Sequence, residues 1–294
     1  MTVLRSAKFP FAKFPSLAKF PSLAKLPSLA KMLGAALALA ALAVLLPGFS
    51  PPSVDKPGPL DLTGYRVTFA EEFDKLSVSP WGPTTRWIAH TPWNGDFGDA
   101  RFADPQPGFP FTIDNGILRI EARKGADGRW ESGLLAGHDL KGNGFAQQYG
   151  YFEMRAKLPP GKGVWPAFWL MGTERARYAV EVDVMEYYGH DPRALHSVYH
   201  VWSMDKVYPE RHVPYVARFE TDLTDDYHRF GVMIDARWTT FYLDGTPYWR
   251  IATPPEFAQP LFPLLNLALG SGWPITETPN PSYMFVDYVR IYAK

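Results

Sequence analysis

Three acidic residues stand inside one apolar, strand-like run, Glu181-Val-Asp183-Val-Met-Glu186-Tyr-Tyr-Gly189. A carboxylate buried in a strand is costly unless it is paired or put to use. The two-residue period of a strand puts Glu181 and Asp183 on one face, whereas Glu186 would point the other way. One bulged residue near Val184 or Met185 would reverse that parity and bring all three to a shared face. Two glutamates with an aspartate between them suit a double displacement at a glycosidic bond, one as nucleophile and the other as acid and then base. That chemistry wants carboxyl groups about 5–5.5 Å apart. The plainer reading of such a run is the solvated face of an edge strand. The apolar Val182, Val184 and Met185 and the aromatic flank favour the chemical one.

Strands have to position these groups. From about Leu60 to Lys294 the chain runs in short alternating apolar segments, among them Arg66–Ala70, Ile117–Ala122, Gly150–Leu158, Tyr227–Asp235, Thr239–Leu243 and Phe285–Tyr292. Asp114-Asn-Gly116 and Asp244-Gly245 have the composition of tight hairpin turns. No amphipathic helical stretch of convincing length interrupts them. The pattern predicts an all-β catalytic domain over residues 60–294, a sandwich of two antiparallel sheets whose inner curvature forms a cleft. The missing helices argue against a βαβ architecture.

The N-terminal part reads differently. Residues 1–31 form a basic tail with a proline-containing hexad, F/L-P-S-L-A-K, repeated at Phe14, Phe20 and Leu26. A proline every six residues prevents a continuous helix. Residues 32–49 hold an uncharged apolar run, Met32–Leu46, ended by Pro47-Gly48, and residues 50–59 are a proline-rich linker. Basic residues followed by a short apolar run form an export signal, which predicts a periplasmic or extracellular protein. Fifteen residues are short for a membrane span, which favours a cleaved signal, yet an uncleaved anchor and membrane association through residues 32–46 fit as well.

Composition narrows the partners. The net charge is zero, but residues 1–56 hold seven of the 30 basic and one of the 30 acidic residues. The remainder is therefore mildly acidic, which argues against nucleic acid. Ten Trp, 15 Tyr and 20 Phe exceed the usual needs of a core and supply flat faces for sugar rings. The absence of cysteine excludes disulfides, thiolate metal sites and a cysteine nucleophile. No metalloprotease, P-loop or dinucleotide motif is present, so catalysis is expected to need no cofactor. A monomer is expected.

Glu181-Val-Asp-Val-Met-Glu186 resembles the E-[ILV]-D-x-x-E signature of glycoside hydrolase family 16. Tyr149–Pro159 followed by Gly163-Val-Trp165-Pro-Ala-Phe-Trp169-Leu-Met resembles the strand pair preceding that signature. Phe69-Ala-Glu-Glu-Phe73-Asp74 resembles the family's first strand, Asn266-Leu-Ala-Leu-Gly270 with Trp273 a late cleft strand, and Val286–Tyr292 the last strand. Each piece alone is weak, but the ordered set across residues 65–292 is specific. The resemblance implies a β-jelly-roll and retaining endo-hydrolysis of β-glycans. It makes Glu181 the nucleophile, Glu186 the acid and base, and Asp183 the group that tunes both. It also places Trp165, Trp169, His200, Asn266 and Trp273 beside the sugar, although a lone Trp or His on an apolar strand is as readily a core residue. Trp93, Asn94 and Arg101 fall in a glycine-rich stretch that would edge the cleft. A structural calcium would sit at the main-chain oxygens of Glu72 and Gly116 and the Asp287 carboxylate; Asp287 is equally readable as an ordinary strand-end residue.

Within the family, Trp130–Leu135, Gly144–Gly150 and Val184–Gly189 look most like the bacterial exopolysaccharide-processing β-1,3/1,4-glycanases, with laminarinase-type β-1,3-glucanases as runner-up. The expected substrate is thus β-glucan or exopolysaccharide. A non-catalytic glycan-binding jelly roll is the rival from another class, and a transglycosylase would use the same residues.

Overall fold

The computed structural model describes residues 57–294. The tail, the signal or anchor segment and most of the linker lie outside the described residues. The strands, in chain order, are β1 (Arg66–Glu71), β2 (Val78–Ser79), β3 (Trp87–Ile88), β4 (Arg101–Phe102), β5 (Phe111–Asp114), β6 (Ile117–Lys124), β7 (Trp130–Ser132), β8 (Leu134–Ala136) and β9 (Gly150–Lys157). They continue as β10 (Val164–Gly172), β11 (Tyr178–Glu186), β12 (Ala194–Ser203), β13 (Arg211–Arg218), β14 (His228–Ile234), β15 (Trp238–Leu243), β16 (Thr246–Ala252), β17 (Leu261–Leu269) and β18 (Ser282–Ala293). Between β16 and β17 lies a single 3-10 turn at Pro255–Phe257. No helix among the described residues is long and apolar enough to cross a membrane.

The strands form two sheets. One runs β13-β12-β11-β10-β17-β8-β3-β2, and the other, of ten strands, is built around β16-β15-β14-β9-β18-β6-β7-β4. Pairing is antiparallel except for the two-residue pairs β2–β3 and β4–β7, which are parallel. The all-antiparallel expectation is corrected there: both exceptions lie at sheet ends, where short segments join without a hairpin. The predicted turns are present, with positive φ at Asn115 and Gly116 and at Asp244 and Gly245, as two-residue hairpins require.

Alternation divides the apolar side chains between two layers. Phe168 and Leu170 of β10, Val180 and Val182 of β11, and Leu265 and Leu267 of β17 join the main core with residues of the ten-stranded sheet such as Phe152, Val232 and Ile291. Their alternates, Trp169 and Met171, Ala179, and Phe262 and Leu264, form a smaller cluster on the outer face of the eight-stranded sheet. That outer face carries the candidate site.

Strand β11 breaks the alternation. Its pairing with β10 runs Trp169↔Asp183 and then Phe168↔Met185, so Val184 is the extra residue, and its pairing with β12 shifts between Asp183 and Glu186. Val184 and Met185 both enter the main core, and Glu186 returns to the face of Glu181 and Asp183. At the bulge the Val184 carbonyl is met by two side-chain hydroxyls. Ser197 Oγ of β12 donates to it at 2.9 Å, and Tyr248 OH, reaching across from β16 in the other sheet, lies 3.2 Å away. The two hydroxyls are 2.7 Å apart. Removing both, as Ser197→Ala/Tyr248→Phe, strands a buried carbonyl, which costs about 1–3 kcal/mol. The double variant is expected to melt several degrees lower and to lose turnover beyond what its folded fraction explains; circular dichroism melts with assays far below the transition check this.

Candidate active site

All three carboxylates face outward from the eight-stranded sheet, and each glutamate is held by an indole. Trp202 Nε1 donates to Glu181 Oε2 at 2.6 Å, and Trp165 Nε1 donates to Glu186 Oε1 at 2.9 Å. Tyr188 OH donates to the same Glu186 oxygen at 3.0 Å. Asp183 lies between them, with its Oδ2 3.0 Å from His200 Nε2. Asp183 and Glu186 are buried.

Burial dominates their acidity. It pushes Glu181 up to about 8, with the Asp183 charge adding to the rise and His200 and the Trp202 N–H opposing it. Asp183 is raised well above the ordinary carboxylate range by burial and then by Glu186, while a hydrogen bond with Glu181 opposes the rise. Glu186 is raised by burial, against its bonds from Tyr188 and Trp165. The three therefore titrate as a unit and retain protons at pH values where isolated carboxyls are ionised. The Trp202 indole donates to Glu181 and favours its ionised form, while the hydrogen bond between Glu181 and Asp183 favours ionised Asp183.

The same arrangement sets a pH dependence of stability. Folded-state pKa values lie above the unfolded values, so the folded chain binds more protons and stability falls as pH rises from the ordinary carboxylate range toward about 8. In Glu181→Gln this contribution vanishes. The melting temperature of the variant should exceed that of the native chain by a gap that widens between pH 5 and pH 8. A gap constant across that window in scanning calorimetry would contradict the assignment.

The remaining predicted residues divide by position. Trp165 is half-buried on the site face and stacks near Tyr188, with centroids 6.0 Å apart. Trp169 shares that face but lies beneath Trp93 and Phe97 and donates its Nε1–H to Asn266 Oδ1 at 2.8 Å. Trp169 is thus a packing residue that fixes Asn266, whose buried Nδ2 has no hydrogen-bond partner. His200 stacks on Trp202, and its Nδ1 meets His212 Nδ1 at 2.7 Å. Trp273 is 40% exposed and stacks on His190 at 3.5 Å, next along from Tyr188, so an aromatic strip runs from Trp165 outward. Trp93 edges the face. Asn94 is an exposed turn residue with φ of 54°. Arg101 is engaged by Glu131 on the β4–β7 pair.

The calcium positions are partly assembled. The Glu72 carbonyl oxygen lies 3.6 Å from where a Cβ on Gly116 would stand, and Asp287 is the residue skipped where β18 pairs with β9. The Glu72 side chain, however, is bound by Arg290, and Asp287 Oδ2 is 2.5 Å from Arg155 Nη1. That guanidinium already balances the single charged ligand, so these residues fit a dication poorly.

Sequence reasoning missed Trp202, Tyr188, His212 and Arg175. Trp202 was within reach, because it stands two residues from His200 and so shares its face. Tyr188 follows the bulge, where parity cannot be counted without knowing where the extra residue falls.

An all-β sandwich whose outer sheet face presents three carboxylates framed by indoles is the architecture of a carbohydrate-processing jelly roll. The family model for glycosyl hydrolases family 16 matches residues 112–290. This chain belongs to glycoside hydrolase family 16. It is 30% identical over 256 residues to the endo-1,3-1,4-beta-glycanase EglC of Rhizobium meliloti (strain 1021) and 28% identical over 257 residues to ExsH of the same organism, each match covering 80% of this chain. The chain spans 53% of the length of either relative. Among solved structures, the catalytic domain of an endo-1,3-beta-glucanase (laminarinase) from Thermotoga petrophila RKU-1 is 27% identical with a TM-score of 0.61, over 78% of this chain and 98% of that one. The non-specific endo-beta-1,3(4)-glucanase SCLam is 27% identical with a TM-score of 0.64, over 81% of this chain and 94% of that one.

Proposed function

We propose that the chain is a secreted, retaining endo-β-glycanase that hydrolyses β-1,3/1,4-linked glucan or a bacterial exopolysaccharide. The observation that carries this reading is the Val184 bulge, which turns Glu181, Asp183 and Glu186 to one face and leaves each glutamate oriented by an indole N–H. Glu181 attacks the anomeric carbon while Glu186 gives its proton to the departing oxygen, so the glycosidic bond breaks as a glycosyl ester forms. Glu186, now ionised, takes a proton from water, whose oxygen attacks the anomeric carbon and releases Glu181. Negative charge on Asp183 and on Glu186 is mutually unfavourable in this buried site, so the pair resists losing both protons and keeps one available for the departing oxygen.

Endo-action on β-linked glucans is supported by the relatives, which are described as endo-glycanases and endo-glucanases. A laminarinase-type preference for β-1,3 linkages is the second reading, favoured by the fold match to the Thermotoga laminarinase. Secretion is inferred from the basic tail and the apolar run Met32–Leu46. The test is reducing-end release on laminarin, lichenan, carboxymethylcellulose and acidic exopolysaccharide, with proton NMR of the first product. β-Anomer at first release is expected. Initial α-anomer would show inversion, and a chain that binds these glycans without cutting any would be a binding module.

A further inference from the structure

A pocket of about 300 Å³ lies on the site face beside the nucleophile, bounded by Trp93, His138, Lys141, Arg175 and Phe262. That volume is at the lower end for small-molecule sites, which run from about 300 to 1,000 Å³. His138 stacks on the buried Phe262 with centroids 4.9 Å apart and planes 19° apart, forming a floor whose open ring is the half-buried His138. Met171 ties this floor to the chemistry, since it pairs with Glu181 on one side and with Phe262 on the other.

The pocket is lined by two cations and one carboxylate. Arg175 lies 4.3 Å over the Trp93 ring, and its Nη1 is buried with no hydrogen-bond partner. Burial lowers its pKa, and Glu181 is the acidic group whose field it feels. Lys141 adds a second cation at the rim. Asp139 also borders the pocket, but its oxygens are taken by its own turn: Lys141 N at 2.8 Å, Asn143 N at 2.9 Å and Asn143 Nδ2 at 2.8 Å. A desolvated guanidinium with an idle donor is unfavourable alone, and its planar fork matches a bidentate oxyanion.

We propose that this pocket is an anion subsite, in which a sugar ring packs against His138 and its acidic substituent binds between Arg175 and Lys141. The inference rests on the β-glycan reading above and narrows it to glycans carrying acidic groups. Carboxylate and sulfate share the required chemistry, and the assay separates them.

Binding is measured by calorimetry in the full chain carrying Glu181→Gln, so that substrate survives. The probes are β-gluco-oligosaccharides in neutral, C6-carboxylated and C6-sulfated forms. At least tenfold tighter binding of one acidic form over the neutral one is expected, and that ratio should fall at least fivefold when Arg175→Gln or the exposed Lys141→Gln is added. Equal affinity for neutral and acidic forms, or a ratio unchanged in both added variants, would overturn the subsite. Parallel hydrolysis assays of the native chain test the enzyme reading separately: activity on neutral glucan with no acidic preference sinks the subsite alone, whereas an acidic preference in binding without any hydrolysis sinks the enzyme reading alone.

Discussion

Glu181→Gln is expected to lower kcat on its glycan by on the order of 10⁴–10⁶-fold, the scale of losing a nucleophile that acts as part of a unit. The amide keeps the size of the carboxylate and can still accept the 2.6 Å bond from Trp202, so folding and oligosaccharide binding should survive. It cannot form the glycosyl ester. Because the amide is also neutral in a site that penalises charge, the loss of turnover should accompany a gain in melting temperature at alkaline pH. Assays with sensitivity to a 10⁵-fold deficit, on protein purified away from host glycosidases, decide the point. Turnover within tenfold of the native chain would remove Glu181 from the mechanism.

Glu186→Gln should cost roughly 10²–10⁴-fold on polymeric substrate, the usual contribution of a positioned acid–base group. Its signature is dependence on the leaving group. An aryl glycoside whose phenol leaves without a proton bypasses the first task of Glu186, so formation of the ester intermediate should stay fast and its breakdown become limiting. A burst of phenol followed by a slow steady state is the expected trace. Added azide, which needs no base, should speed the second phase and yield a β-glycosyl azide if the two displacements each invert. A uniform loss on both substrate types with no azide effect would show that Glu186 has a structural rather than proton-transfer role.

Much of this site could be read from residues alone, because it depends on counting. Glu181, Asp183 and Glu186 fit one face only if a residue is inserted, and the β10–β11 register inserts Val184. The two hairpins were legible for a similar reason, since Asn115-Gly116 and Asp244-Gly245 tolerate positive φ. What stayed hidden depends on contacts between elements distant in sequence. Nothing in the spacing of Tyr248 says that its hydroxyl reaches Val184, 64 positions away. Trp165 and Trp169 look equivalent by alternation, yet only the loop bearing Trp93 and Phe97 decides that Trp169 is covered. Arg101 reads as a cleft-edge cation until Glu131 is seen to claim it. The parallel end pairs β2–β3 and β4–β7 were illegible because two-residue strands carry no periodicity.

The tyrosine that meets the Val184 carbonyl belongs to the opposite layer of the sandwich, so the proposed proton transfer depends on how firmly the layers adhere. Any agent that parts the layers by a fraction of an ångström, whether moderate urea or hydrostatic pressure, slackens the anchor that aims Glu186 while both ladders stay intact. Turnover in such a molecule is expected to fade ahead of its far-ultraviolet signal, so activity would report loosening of the interior before the strands come apart.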